Sequence, residues 1–143
     1  VWQLSLNPNK SDGPLGRIRL GLQGGKIIGE KDLHDGQWHH VAVVMYPGKT
    51  NDPVNLKKHV LLYVDGEIEM TTRKSFAYVN TEINTETSVP LRVGKTARHG
   101  AKEYFNGMLD ELFIVNRALS QEEIIKLMNH DPSFLRSQLV GIY

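Results

Sequence analysis

Hydrophobic and polar positions alternate with a period of two over residues 15–23. Leu15, Arg17, Arg19 and Gly21 share one face, and Ile18, Leu20 and Leu22 share the other. This is the pattern of a half-buried strand. Residues 1–6 repeat it, with Trp2, Leu4 and Leu6 on one side. Gly24-Gly25 reads as a hairpin turn and 26–29 as the returning strand. In residues 38–45, WHHVAVVM, the set His39, Val41, Val43 and Met45 opposes Trp38, His40, Ala42 and Val44. Residues 59–64 and 67–70 flank Asp65-Gly66, a pair that favours a two-residue hairpin. Residues 89–93 read as a further strand.

Residues 104–128, YFNGMLDELFIVNRALSQEEIIKLM, predict a strand, a turn and a helix. Over 108–115 both faces are largely apolar, which predicts a central strand covered on both sides. The helix is expected near 120–129. Ser120 stands at its N-cap with Glu123 three residues on, a capping box, and Leu119 and Ile124 have the spacing of a hydrophobic staple. Ile124, Ile125 and Met128 give the apolar stripe, and Pro132 bars continuation. Alternation places Trp38, Val41, Val43, Leu62, Leu109, Leu112 and Phe113 in or beside the core. Strand runs with turn signals along almost the whole chain predict an all-β fold, an antiparallel β-sandwich with that one short helix.

Three stretches carry a family resemblance: residues 104–124, YFNGMLDELFIVNRALSQEEI; residues 35–44, DGQWHHVAVV; and residues 61–66, LLYVDG. Together they resemble laminin-G-like domains of the concanavalin A-like, pentraxin-related type, over roughly residues 15–130. The resemblance implies a jelly-roll sandwich and a lectin-like module of a larger secreted, periplasmic or cell-surface protein. It also implies strands earlier than Val1, so residues 1–131 are expected to form a sandwich lacking its first strands. Residues 132–143 are then a tail. Its LVGIY is either an edge strand or, by the same resemblance, the start of a following domain.

At 143 residues the chain has the size of one domain. A net charge of +1, with charges interspersed, argues against a nucleic-acid partner. There is no cysteine, so disulfides and thiol chemistry are excluded. No run is apolar enough to insert in a membrane. The triplet Asn9-Lys10-Ser11 is a formal glycosylation sequon but too common by chance to carry weight.

The candidate chemistry is sparse. Arg17 and Arg19, two apart, form a cationic stripe that reads either as a solvated sheet face or as a ligand groove. Phe76 and Tyr78 either pack on the core or stack on a sugar. Asp110 is expected to be largely buried on an apolar strand face, where its charge needs backbone donors or a hard cation. The resemblance implies one structural calcium ion near it. His39-His40 suggests a metal, but strand neighbours point to opposite faces and cannot chelate one ion together. A glycosidase needs two carboxylates about 5 to 9 Å apart across a cleft. Glu67 and Glu69 share a face but lie beside a tight hairpin. No nucleophile elbow or phosphate loop occurs. By the same resemblance, the expected function is non-catalytic recognition of a glycan or protein, with tethering to other domains. The alternatives are a purely structural accessory domain and, weakest, a glycan-active hydrolase.

Overall fold

The computed structural model describes residues 2–22, 25–47, 56–71, 73–74, 91–95, 104–135 and 139–142. Its first sheet contains β1 (Trp2–Leu6), β2 (Ile18–Leu22), β3 (Gly25–Ile28) and β7 (Arg73–Lys74), in that order. The second contains β4 (Val41–Met45), β5 (Val60–Val64) and β6 (Glu67–Ile68). β8 (Phe113–Val115) and β9 (Leu139–Ile142) form a two-stranded pair. Every pairing among these strands is antiparallel. A single helical turn, α1 (Leu56–His59), precedes β5, and α2 (Gln121–Met128) follows β8.

The alternation over 15–23 holds. Ile18 and Leu20 are buried, while Arg17 and Arg19 lie on the opposite face. β1 pairs with β2 so that Leu4 meets Leu20 and Leu6 meets Ile18. Gly25 belongs to β3, paired with Leu22, rather than to the turn. Asp65 and Gly66 have φ of 52° and 79°, the two left-handed residues of a type I′ hairpin, and Val64 pairs with Glu67.

Two cores follow from this arrangement. Between the first and second sheets lie Ile18, Leu20, Ile27, Val60, Leu62 and Val64, with Leu56 of α1. On the other side of the second sheet, Val44 and Tyr63 meet Leu119, Ile124 and Leu127 around α2, with Leu135. The strands covered on both sides are thus β4 and β5.

The region 108–115 differs from expectation. Only Phe113–Val115 is strand, and among the described residues it pairs with β9 alone. Glu111 has φ of 50°, which breaks the extended path ahead of Leu112. Met108, Leu109 and Asp110 are exposed, so Leu109 is not a core residue. Trp38 is 63% exposed, because β4 begins only at Val41 and residues 38–40 are not strand. Val41, at the start of β4, is also exposed; Val43, Leu112 and Phe113 are half-buried, and Leu62 is fully buried. Residues 91–93 are described and are not strand.

The helix forms as its caps require. Ser120 Oγ accepts the Glu123 N–H at 3.3 Å, and Glu123 Oε2 accepts the Ser120 N–H at 2.9 Å. Leu119 and Ile124 are buried in the same core. Ile125 and Met128 face the hairpin instead, with Ile125 Cγ1 about 3.0 Å from where a side chain at Gly66 would begin.

Candidate functional site

The polar face of the first sheet is built from the loop that joins β1 to β2. Asn7 organises that loop and is almost fully buried. Its side-chain amide faces the carbonyl oxygens of Asn9, Gly13 and Pro14 at 3.1, 3.0 and 2.9 Å. Its backbone N–H donates to Arg17 O at 2.7 Å, and its own carbonyl accepts from Gly16 N at 3.2 Å. The loop is thereby folded back over β2.

That fold-back brings Asp12 to the cationic stripe. Asp12 Oδ1 is ion-paired with Lys26 of β3, and Oδ2 stands 3.9 Å from Arg19 Nε. Lys26 holds the Asp12 carboxyl below the usual carboxylate range. Arg19 lies along its own strand, with Nη1 about 3.1 Å from where a Gly21 side chain would begin. Gly21 pairs with Lys26, and Arg19 pairs with Ser5 of β1. Arg19 Nε and Ser5 Oγ are both buried without a hydrogen-bond partner. Arg19, Lys26, Asp12 and Ser5 therefore sit together on one sheet face.

Arg17 is more committed. Its Nη1 meets Asp32 Oδ1 at 2.7 Å, and Arg17 in turn holds the Asp32 carboxyl low. The two arginines are equally half-buried, with side chains 20% exposed. Both could bind carboxylate or hydroxyl oxygens through a guanidinium fork. Arg17 already has such a partner within the chain, whereas among the described residues the carboxylate shown for Arg19 stands 3.9 Å away. Nothing in the sequence pattern singles out Asp12 or Lys26. Asp12-Gly13 marks a turn-rich loop, but the fold-back depends on Asn7.

The remaining candidates separate. Phe76 and Tyr78 lie outside the described residues. Asp110 is exposed rather than buried, because residues 107–112 leave the strand path; its Oδ1 accepts the Glu111 N–H at 2.9 Å. That is one carboxylate, against the six to eight oxygens a calcium ion takes. Among the described residues, no group of three or more His, Asp or Glu side chains could hold a metal ion. The described side chains alone do not make a calcium cage.

Glu69 Oε2 accepts the N–H groups of Glu30 and Lys31 at 2.7 and 2.9 Å. Glu67 is exposed and touches Gln121 at 3.5 Å. His39 and His40 lie just before β4 rather than within a strand, so strand alternation does not apply to them. His39 binds Asp35 and Asp65, whereas burial pushes the His40 imidazole pKa down. A shallow, mostly apolar groove lined by Met45, Tyr46, Pro47, Asn116, Arg117 and Ala118 contains none of the predicted site residues. No helix among the described residues is long and apolar enough to cross a membrane.

Comparison with curated proteins and with solved structures finds no significant match in either. The laminin G-type family model described as the concanavalin A-like lectin/glucanases superfamily matches residues 2–125. That span contains both sheets and the start of α2, and the chain belongs to this family.

Proposed function

We propose that this domain is a non-catalytic, lectin-like recognition module whose ligand, a glycan or a protein segment, docks on the polar face of the first sheet. Arg19 carries the reading. Its guanidinium lies over Gly21, its side chain is 20% exposed, and the nearest carboxylate shown for it stands 3.9 Å away. A guanidinium so placed suits carboxylate or hydroxyl oxygens of a ligand. By family, the parent protein is secreted, periplasmic or cell-surface and carries other domains.

The test is a glycan array probed at several calcium concentrations with the wild type and with Arg19→Ala. Binding lost in the variant, with unchanged circular dichroism, supports the reading. Binding indifferent to Arg19 moves the site elsewhere.

A purely structural accessory role is the second reading, and the Arg17–Asp32 pair favours it, because charge neutralised within the chain has less left for a ligand. A hydrolase role is the weakest. Glu69 spends an oxygen on two backbone N–H groups, which suits a structural acceptor better than a proton shuttle. One structural calcium ion at Asp110 is a separate proposal resting on the family. If it binds, added calcium raises the melting temperature by mass action and Asp110→Asn removes the rise. A melting curve indifferent to calcium and to a chelator ends that proposal.

A further inference from the structure

We propose that His39 is a pH-operated clasp. As an imidazolium it ties the Asp35 loop to the Asp65–Gly66 hairpin; once deprotonated it releases Asp35 and frees the segment bearing the exposed Trp38.

The geometry is a ring between two carboxylates. His39 Nδ1 is 2.9 Å from Asp65 Oδ2, and Nε2 is 3.0 Å from Asp35 Oδ1. The His39 side chain is 12% exposed, whereas Asp65 is 33% and Asp35 44% exposed, so solvent reaches the Asp35 side of the pair more readily. An imidazolium donates from both nitrogens, while a neutral imidazole has one N–H and one lone pair. The neutral ring therefore satisfies one carboxylate and sets a lone pair against the other.

Asp65 is the arm that stays. Its Oδ2 also meets Lys31 Nζ at 2.5 Å, and its Oδ1 accepts the His40 N–H at 3.0 Å. Its hairpin is held from the other side by Gln121, whose Nε2 donates to Gly66 O at 2.9 Å, and by Ile125. Asp35 is the arm that leaves. Beyond His39 it accepts the Gln37 N–H at 2.9 Å within its own turn, and its side chain is 44% exposed. Gly36 at the bend has nothing within 4 Å of where a side chain would start, so no packing pins the loop at that point.

The charged and titratable neighbours fit this assignment. Lys31 offsets part of the negative charge of Asp65, and Glu69 acts on Lys31 in turn. The His40 ring feels Asp65 and Glu111, but burial favours its neutral form. Asp65, opposed by burial and helped by Asp35, raises the pKa of His39. Both aspartates are held below the usual carboxylate range. The sign follows. A raised histidine pKa gives a contribution that is full below about 6.5 and is lost as pH climbs through the raised value. The lowered carboxylates keep the clasp closed into the acid range. It opens on the alkaline side.

The test reads the His39 ring by ¹⁵N NMR from about pH 5 to 9. The expected midpoint lies above ~6.5, with both nitrogens protonated below it, and Asp35→Asn shifts it down. Backbone order parameters of Gly36, Gln37 and Trp38 fall through the same midpoint in the wild type and lose their pH dependence in His39→Gln. A wild-type midpoint at or below ~6.5, or wild-type order parameters indifferent to pH, overturns the clasp. Both of those readings need no variant to fold.

Discussion

Glu123 grips Arg117 with both carboxylate oxygens, at 2.6 and 2.8 Å, while Oε2 also accepts the Ser120 N–H. One side chain thus closes the helix cap and fastens the turn before it. Arg117, with help from the Ser120 N–H, holds the Glu123 carboxyl down to about 2, from 4.5. Its contribution to stability is full above about 4.5 and fades as pH falls towards 2. Arg117→Gln should return that carboxyl towards its ordinary value, read by NMR titration. Ser120→Ala should cost about 0.5 to 2 kcal/mol in chemical denaturation. An unchanged Glu123 titration in Arg117→Gln would count against the shared grip.

The two cores should respond to truncation where the covered-looking surface does not. Leu62→Ala and Ile124→Ala each remove a fully buried side chain and should destabilise by about 2 to 5 kcal/mol. Trp38→Ala and Leu109→Ala remove exposed ones and should stay within about 0.5 kcal/mol. Urea denaturation of the four variants separates these outcomes. A large loss at Leu109 would restore a buried strand at 108–115.

Asn7→Ala should strip the β1–β2 loop of its organiser. Three carbonyl oxygens lose their shared donor, at a cost of about 1 to 3 kcal/mol. The Asp12 carboxyl should then titrate nearer its ordinary value, because the loop no longer delivers it to Lys26. A destabilised variant whose Asp12 titration is unchanged would show that Lys26 holds the loop without Asn7.

Gly66→Ala should be costly for two reasons. Its φ of 79° disfavours any side chain, and the new methyl would begin about 3.0 Å from Ile125 Cγ1. The strain alone is of order 1 to 3 kcal/mol. Gly36→Ala, at φ of 77° but in open space, isolates the conformational part. Equal losses at the two sites, measured by denaturation, would mean that the Ile125 contact yields freely.

What was legible in the sequence was local. The β2 alternation, the Asp65-Gly66 hairpin and the Ser120 capping box each have their cause within a few residues, and each appears in place. The misreadings share one physical reason. Periodicity says which residues share a face but not whether anything covers that face, so it puts Trp38 and Leu109 in or beside the core, where the structure leaves both exposed. Nor does it foresee one left-handed residue, Glu111, that keeps the strand from starting before Phe113. The candidate site was half legible. The Arg17–Arg19 stripe follows from spacing, but the arrival of Asp12 depends on a buried amide folding a loop across the sheet.

β5 sits between the two cores, and a strand has only two sides. Even-numbered Val60, Leu62 and Val64 face the first sheet, while Leu61 and Tyr63 turn towards α2. β4 keeps the same division in opposite parity, with Val43 and Met45 on the first side and Ala42 and Val44 on the second. Along this spine, whether a residue number is odd or even decides which half of the molecule a substitution loosens. The shared backbone ladder makes the other half answer to the same event.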